Sequence, residues 1–511
     1  MIEREVKRKK EFRFLASLSF IGIFLYIFFS PQMTNAQEPN VLLIISDDLN
    51  SNIGSYMGID KHTPHLNRLS EEGVRFMRAY SQYPQCGASR ASIMSGLYPE
   101  TNGVLSNYGE LGSYKKKTPS LVDHPSLAGI FRENGYFTAR VSKIFHMGVP
   151  SDIYRGEPGG DDPDSWDYAY NVMAPEIMSS GELELLSPKN NSYGSNFSRM
   201  IIPDELEATQ ADYMAASQAI AILENRAGDK PPNIKYKERI KDDAPFFLAV
   251  GFVRPHVPFI APKKNFDPYP EDEVVLPPIN VGENVPAQAL FRQNHEVWGM
   301  DEFQKRRAIS GYMASVQFMD EQVGRLLDAL DRLNLRKETI VVFLSDHGYN
   351  LGEHDAWSKQ SLWEEAIRVP LIISVPGQEK NYGSTTETIV ELIDLYPTLV
   401  DLAGLSRNES NISLQGESLS KYLRGERQRD DKDAYAYTVT KNGSAGSLRT
   451  DRWKYNRWGR ETGNGNEELY DNQNDPEEHK NLADDKGYKI ILEEMREKFN
   501  FVKRKAKNHL K

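Results

Sequence analysis

Cysteine is almost absent: Cys86 is the single one in 511 residues. One thiol cannot close a disulfide within the chain, so no covalent staple holds this fold. A buried hydrophobic side chain, a thiolate nucleophile, a metal ligand and a precursor awaiting modification remain as roles for it. An excess of positive charge is absent as well. With 62 Lys and Arg against 73 Asp and Glu, the formal net charge is −11, which argues against nucleic acid as a partner and requires any anionic ligand to find a locally basic pocket. Internal repeats and low-complexity tracts are lacking, which sets aside solenoid architectures. Long apolar runs are lacking except for one, "FLASLSFIGIFLYIFF" from Phe14 to Phe29.

That run follows "KRKKEFR" and precedes "SPQMTNAQEP", the order of a secretory signal peptide occupying residues 1–36, with the small residue Ala36 ahead of Gln37 at the cleavage point. It is short for a membrane span, and an uncleaved N-terminal anchor is the alternative. No cysteine follows it, which argues against a lipid-modified N-terminus. The expectation is an exported, soluble chain, periplasmic or secreted (lysosomal or extracellular in a eukaryote), with no stable membrane insertion after cleavage. Loss of six Lys/Arg and three Asp/Glu with the signal leaves a net charge of −14.

The remaining length suits one large α/β domain with a smaller partner, expected at residues 37–428 and 429–511. The runs Val41 to Ile45, Phe246 to Phe252, Ile340 to Leu344 and "RVPLIISVPG" read as buried strands. Ile309, Tyr312, Met313, Val316, Met319, Val323, Leu326, Leu327 and Leu330 share one helical face just before the strand at 340. The stretch from about 150 to 240 has weak periodicity and predicts loops and short helices that shape one wall of a site. Near residue 425 a charged linker gives way to alternating residues, which predicts a β-rich C-terminal part closed by a helix near "YKIILEEMREKFNFVKRK".

Two of these strands end in charge. Asp47 and Asp48 follow the first, and Asp346 and His347 follow the strand at 340. Functional groups of open α/β sheets gather beyond the carboxyl ends of the strands, and neighbouring carboxylates repel unless a cation sits between them. Such oxygen-rich donors favour calcium or magnesium over zinc. Helix capping or plain loop aspartates are the alternative for either pair alone. "CGASR" followed by "ASIMSG" predicts a helix starting at about Cys86, where the partial positive charge favours an anion and Arg90 can aim its fork at it. Taken alone, Lys143 and His146 read as a solvated helical edge and His256 as a loop histidine between prolines.

Cys86, Ala88 and Arg90 match C-x-[P/A]-x-R. With "SDD" at Ser46 to Asp48, "TPHLNRLSEEGVRF", "SGLYPETNGV", "SDHGYNLGEH", "RWKYN" and "ELYDNQNDPEEHKNLA", essentially the whole chain beyond the signal resembles the type I, formylglycine-dependent sulfatases. "VSKIFHMG", "GFVRPHVPF" and "EHDAWSKQSLWEEAIRVPLI" resemble the iduronate-2-sulfatase branch. The resemblance implies an alkaline-phosphatase-like α/β fold: a large mixed, mostly parallel sheet flanked by helices, with a smaller C-terminal α+β subdomain. It implies that a formylglycine-generating maturation enzyme oxidises Cys86 to 3-oxoalanine, whose hydrate is the nucleophile. Asp47, Asp48, Cys86, Asp346 and His347 would hold one divalent cation, normally calcium. Arg90 and Lys143 would stabilise the hydrate, and His146 would contact its second hydroxyl and help expel sulfate. His256 and Lys359 would bind sulfate and protonate the leaving sugar oxygen.

The implied substrate is a sulfated carbohydrate, a 2-O-sulfated uronic acid of glycosaminoglycan or algal ulvan type. Two departures from the family pattern are Ala88, where Pro is usual, and His65, where Asn is frequent and which reads as structural. A phosphomonoester or phosphonate hydrolase of the same superfamily and a catalytically silent carbohydrate-binding relative are the competing readings. The full "CGASR" motif argues against the first and the filled catalytic positions against the second.

Overall fold

The computed structural model describes residues 38–57, 63–228, 244–290, 295–406, 412–426, 434–463 and 465–507. The expected signal segment, residues 1–36, lies outside them. Among the described residues, no helix is long and apolar enough to cross a membrane.

Pro39–Lys511 forms one compact unit built on a nine-stranded mixed sheet. Its strands are β1 (Asn40–Asp47), β2 (Val74–Tyr80), β3 (Phe137–Ser142), β4 (Tyr168–Tyr170), β5 (Phe246–Pro255), β6 (Thr339–Ser345), β7 (Arg368–Val369), β8 (Leu371–Ser374) and β9 (Thr385–Glu391). At its centre β1 runs parallel to both β5 and β6. Beyond β5 lie β3 and β4, also parallel. Beyond β6 comes antiparallel β8, then β2, which also pairs antiparallel with β7 and parallel with β9.

Every residue of β1, β5 and β6 is buried, which is why these strands read as continuous apolar runs. Alternate residues still serve opposite faces: Val41, Leu43 and Ile45 join one core cluster, and Leu42 and Ile44 the other. The register pairs Ser46 with Ser345, so the charged residues following β1 and β6 leave the sheet side by side.

Helix α1 (Cys86–Ser95) is buried along its whole length and stops at Gly96, whose φ is 67°. Beyond the 150–160 loops, the expected collection of short helices is partly wrong. Residues Ala211–Arg226 form a 16-residue helix, α2, and Glu182–Leu185 and Ser198–Ile202 join Phe259–Pro262 in a small three-stranded sheet. The buried face of α2 is Ala211, Ala215, Ala216, Ala219, Ile222 and Leu223. Alanine carries so little hydrophobic contrast that helical spacing built on it is faint in the sequence. The 31-residue helix α3 (Glu302–Arg332) opens with a capping box, Asp301 and Gln304, and packs against β5 and α2.

In the C-terminal part β10 (Tyr435–Thr440), β11 (Ala445–Thr450), β12 (Trp453–Trp458) and β13 (Glu467–Asp471) make an antiparallel meander. Helix α4 (Lys489–Lys507) closes it, with Phe499 meeting Tyr437 and Tyr455 edge-on at 5.5 and 5.4 Å.

Candidate active site

The carboxyl ends of β1, β3, β5 and β6 converge on the first residue of α1. The thiol of Cys86 lies 3.2 Å from Nζ of Lys359, 3.3 Å from Nε2 of His347 and 3.9 Å from Oδ1 of Asp48. Local backbone explains the convergence. Asp48 turns out of β1 with φ 67° and Ser142 ends β3 with φ 61°, conformations that L-residues adopt only when their surroundings enforce them. Tyr312 of α3 enforces the first, donating its hydroxyl to the Asp48 carbonyl at 2.9 Å and accepting the Asn50 N–H at 2.8 Å. Lys359 stands between Ser358 and Gln360, themselves at φ 78° and 72°. The chain at Lys143 passes so close to β5 that a Cβ on Gly251 would lie 2.0 Å from the Lys143 carbonyl oxygen.

The C-terminal sheet forms part of the same wall. Val439 of β10 donates its N–H to the Gln82 carbonyl at 3.0 Å, and the N–H of Asn442 reaches the Tyr83 hydroxyl at 3.1 Å, just ahead of Cys86.

Three carboxylates here face three permanent cations. Asp47 is ion-paired with Lys143 and, at 3.5 Å, with Nη2 of Arg90. Burial alone would raise its pKa, but Lys143, His256, Arg90 and Lys359 together hold it well below the usual carboxylate range. Asp48 accepts from Lys359 at 2.7 and 3.0 Å and lies 3.2 Å from Nε2 of His347. Burial nonetheless pushes it up to about 7. The reverse holds at His347, where burial is outweighed by Asp346, Cys86 and Asp48 and the pKa rises to about 9. His146, half-buried, is pushed down to about 3 by burial and by Lys143. His256 is pushed well below its ordinary value by burial, Lys359 and Lys143.

Asp47, Asp48, Cys86 and His347 place ligand atoms within 4.8 Å of one another. Asp346 sits behind them: its Oδ2 holds Nε of Arg90 at 2.7 Å, and its Oδ1 accepts the N–H of His347 at 2.9 Å and of Asp48 at 3.3 Å. Both oxygens of Asp47 are buried and make no well-aligned hydrogen bond, their charge being met only by the ion pairs with Lys143 and Arg90. A buried carboxylate with that spare acceptor capacity, beside a second carboxylate, a thiol and an imidazole, suits a divalent cation. His256 donates from Nδ1 to the Val257 carbonyl at 2.6 Å, which turns Nε2 toward Asp48 at 3.8 Å. His146 contributes its carbonyl to the N–H of Gly160 at 2.7 Å, while its Nδ1 is buried without a hydrogen-bond partner.

Sequence reasoning missed several supports. Tyr312 reads there as one more core position of α3, and its hydroxyl on an otherwise apolar face is the only cue. Ser345 accepts the N–H of Leu49 at 2.9 Å and donates to the His347 carbonyl at 2.8 Å, tying the two strand ends together. His65, by contrast, lies against α3, where a Cβ on Gly324 would come within 2.4 Å of its ring.

A family model described as Sulfatase matches residues 39–405, and one described as N-sulphoglucosamine sulphohydrolase, C-terminal, matches residues 352–505. A sulfatase of Formosa agariphila is 31% identical over 468 residues, covering 90% of this chain and 86% of its own. The iduronate 2-sulfatase of Homo sapiens is 33% identical over 410 residues, covering 72% and 69%. A solved structure described as a 2-O GAG sulfatase superposes with a TM-score of 0.66 at 23% identity, over 92% of this chain and 93% of that one. The family model alone spans well over half the sequence, and the chain therefore belongs to the type I sulfatases.

Proposed function

We propose that the chain hydrolyses sulfate esters on carbohydrate, with a 2-O-sulfated uronic acid in an oligosaccharide as the preferred substrate, using position 86 as nucleophile. The observation that carries this reading is the placement of Cys86 at the start of a buried helix, within 3.3 Å of both Lys359 and His347 and beside the cations Arg90 and Lys143. Arg90, Lys143 and Lys359 balance Asp47, Asp48 and Asp346 there, and a divalent cation would add the local positive potential that a sulfate needs in an acidic protein. Its relatives among the iduronate 2-sulfatases support the choice of sugar. Oxidised by a maturation enzyme, position 86 supplies a hydrated aldehyde as the attacking group. A divalent cation, calcium by the family pattern, fits among Asp47, Asp48, position 86 and His347, with Asp346 completing the set, and when bound supplies charge against the sulfate oxygens.

The remaining work falls to the chain's own side chains. Arg90, fixed by Asp346 and Asp47, and Lys143, fixed by Asp47, hold negative charge at position 86 in place. His146 stands on the strand-end segment that carries Lys143 and is assigned to expelling sulfate. Lys359 Nζ and His256 Nε2, which converge on Asp48, are assigned to the bridging oxygen. An arriving sulfate ester brings negative charge that offsets the lysines and lets Nε2 carry a proton, which passes to the sugar oxygen as the S–O bond breaks.

Sulfate release from defined sulfated oligosaccharides tests the substrate, with phosphate and phosphonate esters as competing arms; faster turnover of those esters would overturn the reading. Mass spectrometry of the peptide containing Cys86, from the native host, tests the nucleophile. An unmodified thiol sinks it. Cys86→Ala is expected to abolish sulfate release while leaving the thermal unfolding transition cooperative.

A further inference from the structure

The loop that carries His256 is braced by a buried ion pair that the reaction itself does not use. Arg254, 1% exposed, places Nη2 3.0 Å from both carboxylate oxygens of Glu176, which is fully buried. Its Nε donates to the carbonyl of Ile260 at 3.2 Å, so one guanidinium ties the outgoing strand to the returning one across the neck of the loop at 256–258. The backbone of the same stretch is also fastened. Asp212 of α2 accepts the N–H groups of Val253 at 2.7 Å and Arg254 at 3.0 Å, and the Ser46 hydroxyl donates to the Arg254 carbonyl at 2.9 Å. His256 then hangs from the braced segment, its own N–H bonded to the Val253 carbonyl at 2.9 Å. Glu176 reaches the site from the 150–240 insertion with φ 49°, a conformation the surroundings must enforce.

A buried ion pair adds little net stability over well-packed apolar side chains, but it fixes geometry. We propose that Glu176, acting through Arg254, is a positioning residue that sets the reach of His256 Nε2 to the leaving oxygen. This rests on the sulfatase reading above. In the step concerned, an ionised hydroxyl oxygen of the hydrated aldehyde at position 86 forms a bond to sulfur, the S–O bond to the sugar breaks with its electron pair staying on the sugar oxygen, and the proton on Nε2 passes to that oxygen to give the alcohol.

A misplaced proton donor harms poor leaving groups and spares good ones, and a general loss of structure does neither selectively. Steady-state sulfate release is therefore compared for Glu176→Gln and Arg254→Lys on a 2-O-sulfated uronic acid and on 4-nitrophenyl sulfate. The expectation is a fall in kcat of about 10- to 100-fold on the sugar and of no more than about threefold on the aryl ester. In a His256→Ala background the same substitutions should add nothing further. Equal losses on both esters, additive losses in that background, or no loss would overturn the proposal. If Glu176→Gln fails to fold, Arg254→Lys, which keeps the charge and gives up the bond to Ile260, carries the same comparison. Absence of sulfate release by the unaltered enzyme from either ester would instead overturn the sulfatase reading.

Discussion

At position 251 a side chain has nowhere to go. An added Cβ would lie 2.0 Å from the Lys143 carbonyl oxygen, and that oxygen also accepts from Arg90. Gly251→Ala must push the strand end carrying Lys143 away from Asp47 and Arg90. Displacement of about 1 Å in a catalytic group commonly costs about 100-fold, and sulfate release should fall by at least that much in a progress-curve assay. The residues of this cluster were legible in the sequence because each follows a strong strand signal or sits inside a motif. Glu176 and Asp212 were not. Glu176 lies in a loop-rich stretch and Asp212 in the first turn of α2, whose alanine face is faint in the sequence, and their partner Arg254 lies 78 and 42 residues away. Nothing local marks a pairing made only by the fold.

Among the elements, β1 and β6 were readable from buried runs, and their register is what turns two unremarkable Asp-containing strand ends into one site. A cation held there binds only the folded chain. Calcium added to chelator-treated protein at 100 times its dissociation constant should add about 2.7 kcal/mol to unfolding free energy, and Asp47→Asn should abolish the increment, read by calorimetry without any substrate. Helix α3 was also legible, from its apolar spacing. Its contact with His65 was not, because a glycine inside a helix signals close approach without naming the neighbour. A methyl at Gly324 would meet the His65 ring at 2.4 Å, so Gly324→Ala should lower stability by about 1–3 kcal/mol in denaturant titration rather than raise it as alanine does in an open helix. Helix α2 was lost to the reading altogether, since an alanine face separates buried from exposed only weakly.

For the molecule as a whole, the seam between the large sheet and the C-terminal meander sets a buried ionic cluster into otherwise apolar packing. Buried Glu364 accepts the Tyr80 hydroxyl at 3.0 Å and faces Lys454 of β12 at 3.4 Å and Arg449 of β11 at 3.6 Å. Burial would raise its pKa, but Lys454, Arg449 and Arg368 bring it down to about 2 from an ordinary 4.5. A depressed carboxylate contributes stability that is present above its unfolded value and is lost as pH falls toward the folded one. Unfolding free energy should therefore drop between about pH 4.5 and 2, and Glu364→Gln should flatten that drop; an unchanged acid limb in urea titrations would refute the assignment. The same seam has a consequence in time. Residues 439 and 442 bond to Gln82 and Tyr83, just ahead of Cys86, which is fully buried in the complete fold. During synthesis at about 5–20 residues per second, this last segment of the wall emerges roughly 20–70 s after the thiol itself. An enzyme that converts Cys86 in the way proposed above would work against a clock set by the length of chain still to be made.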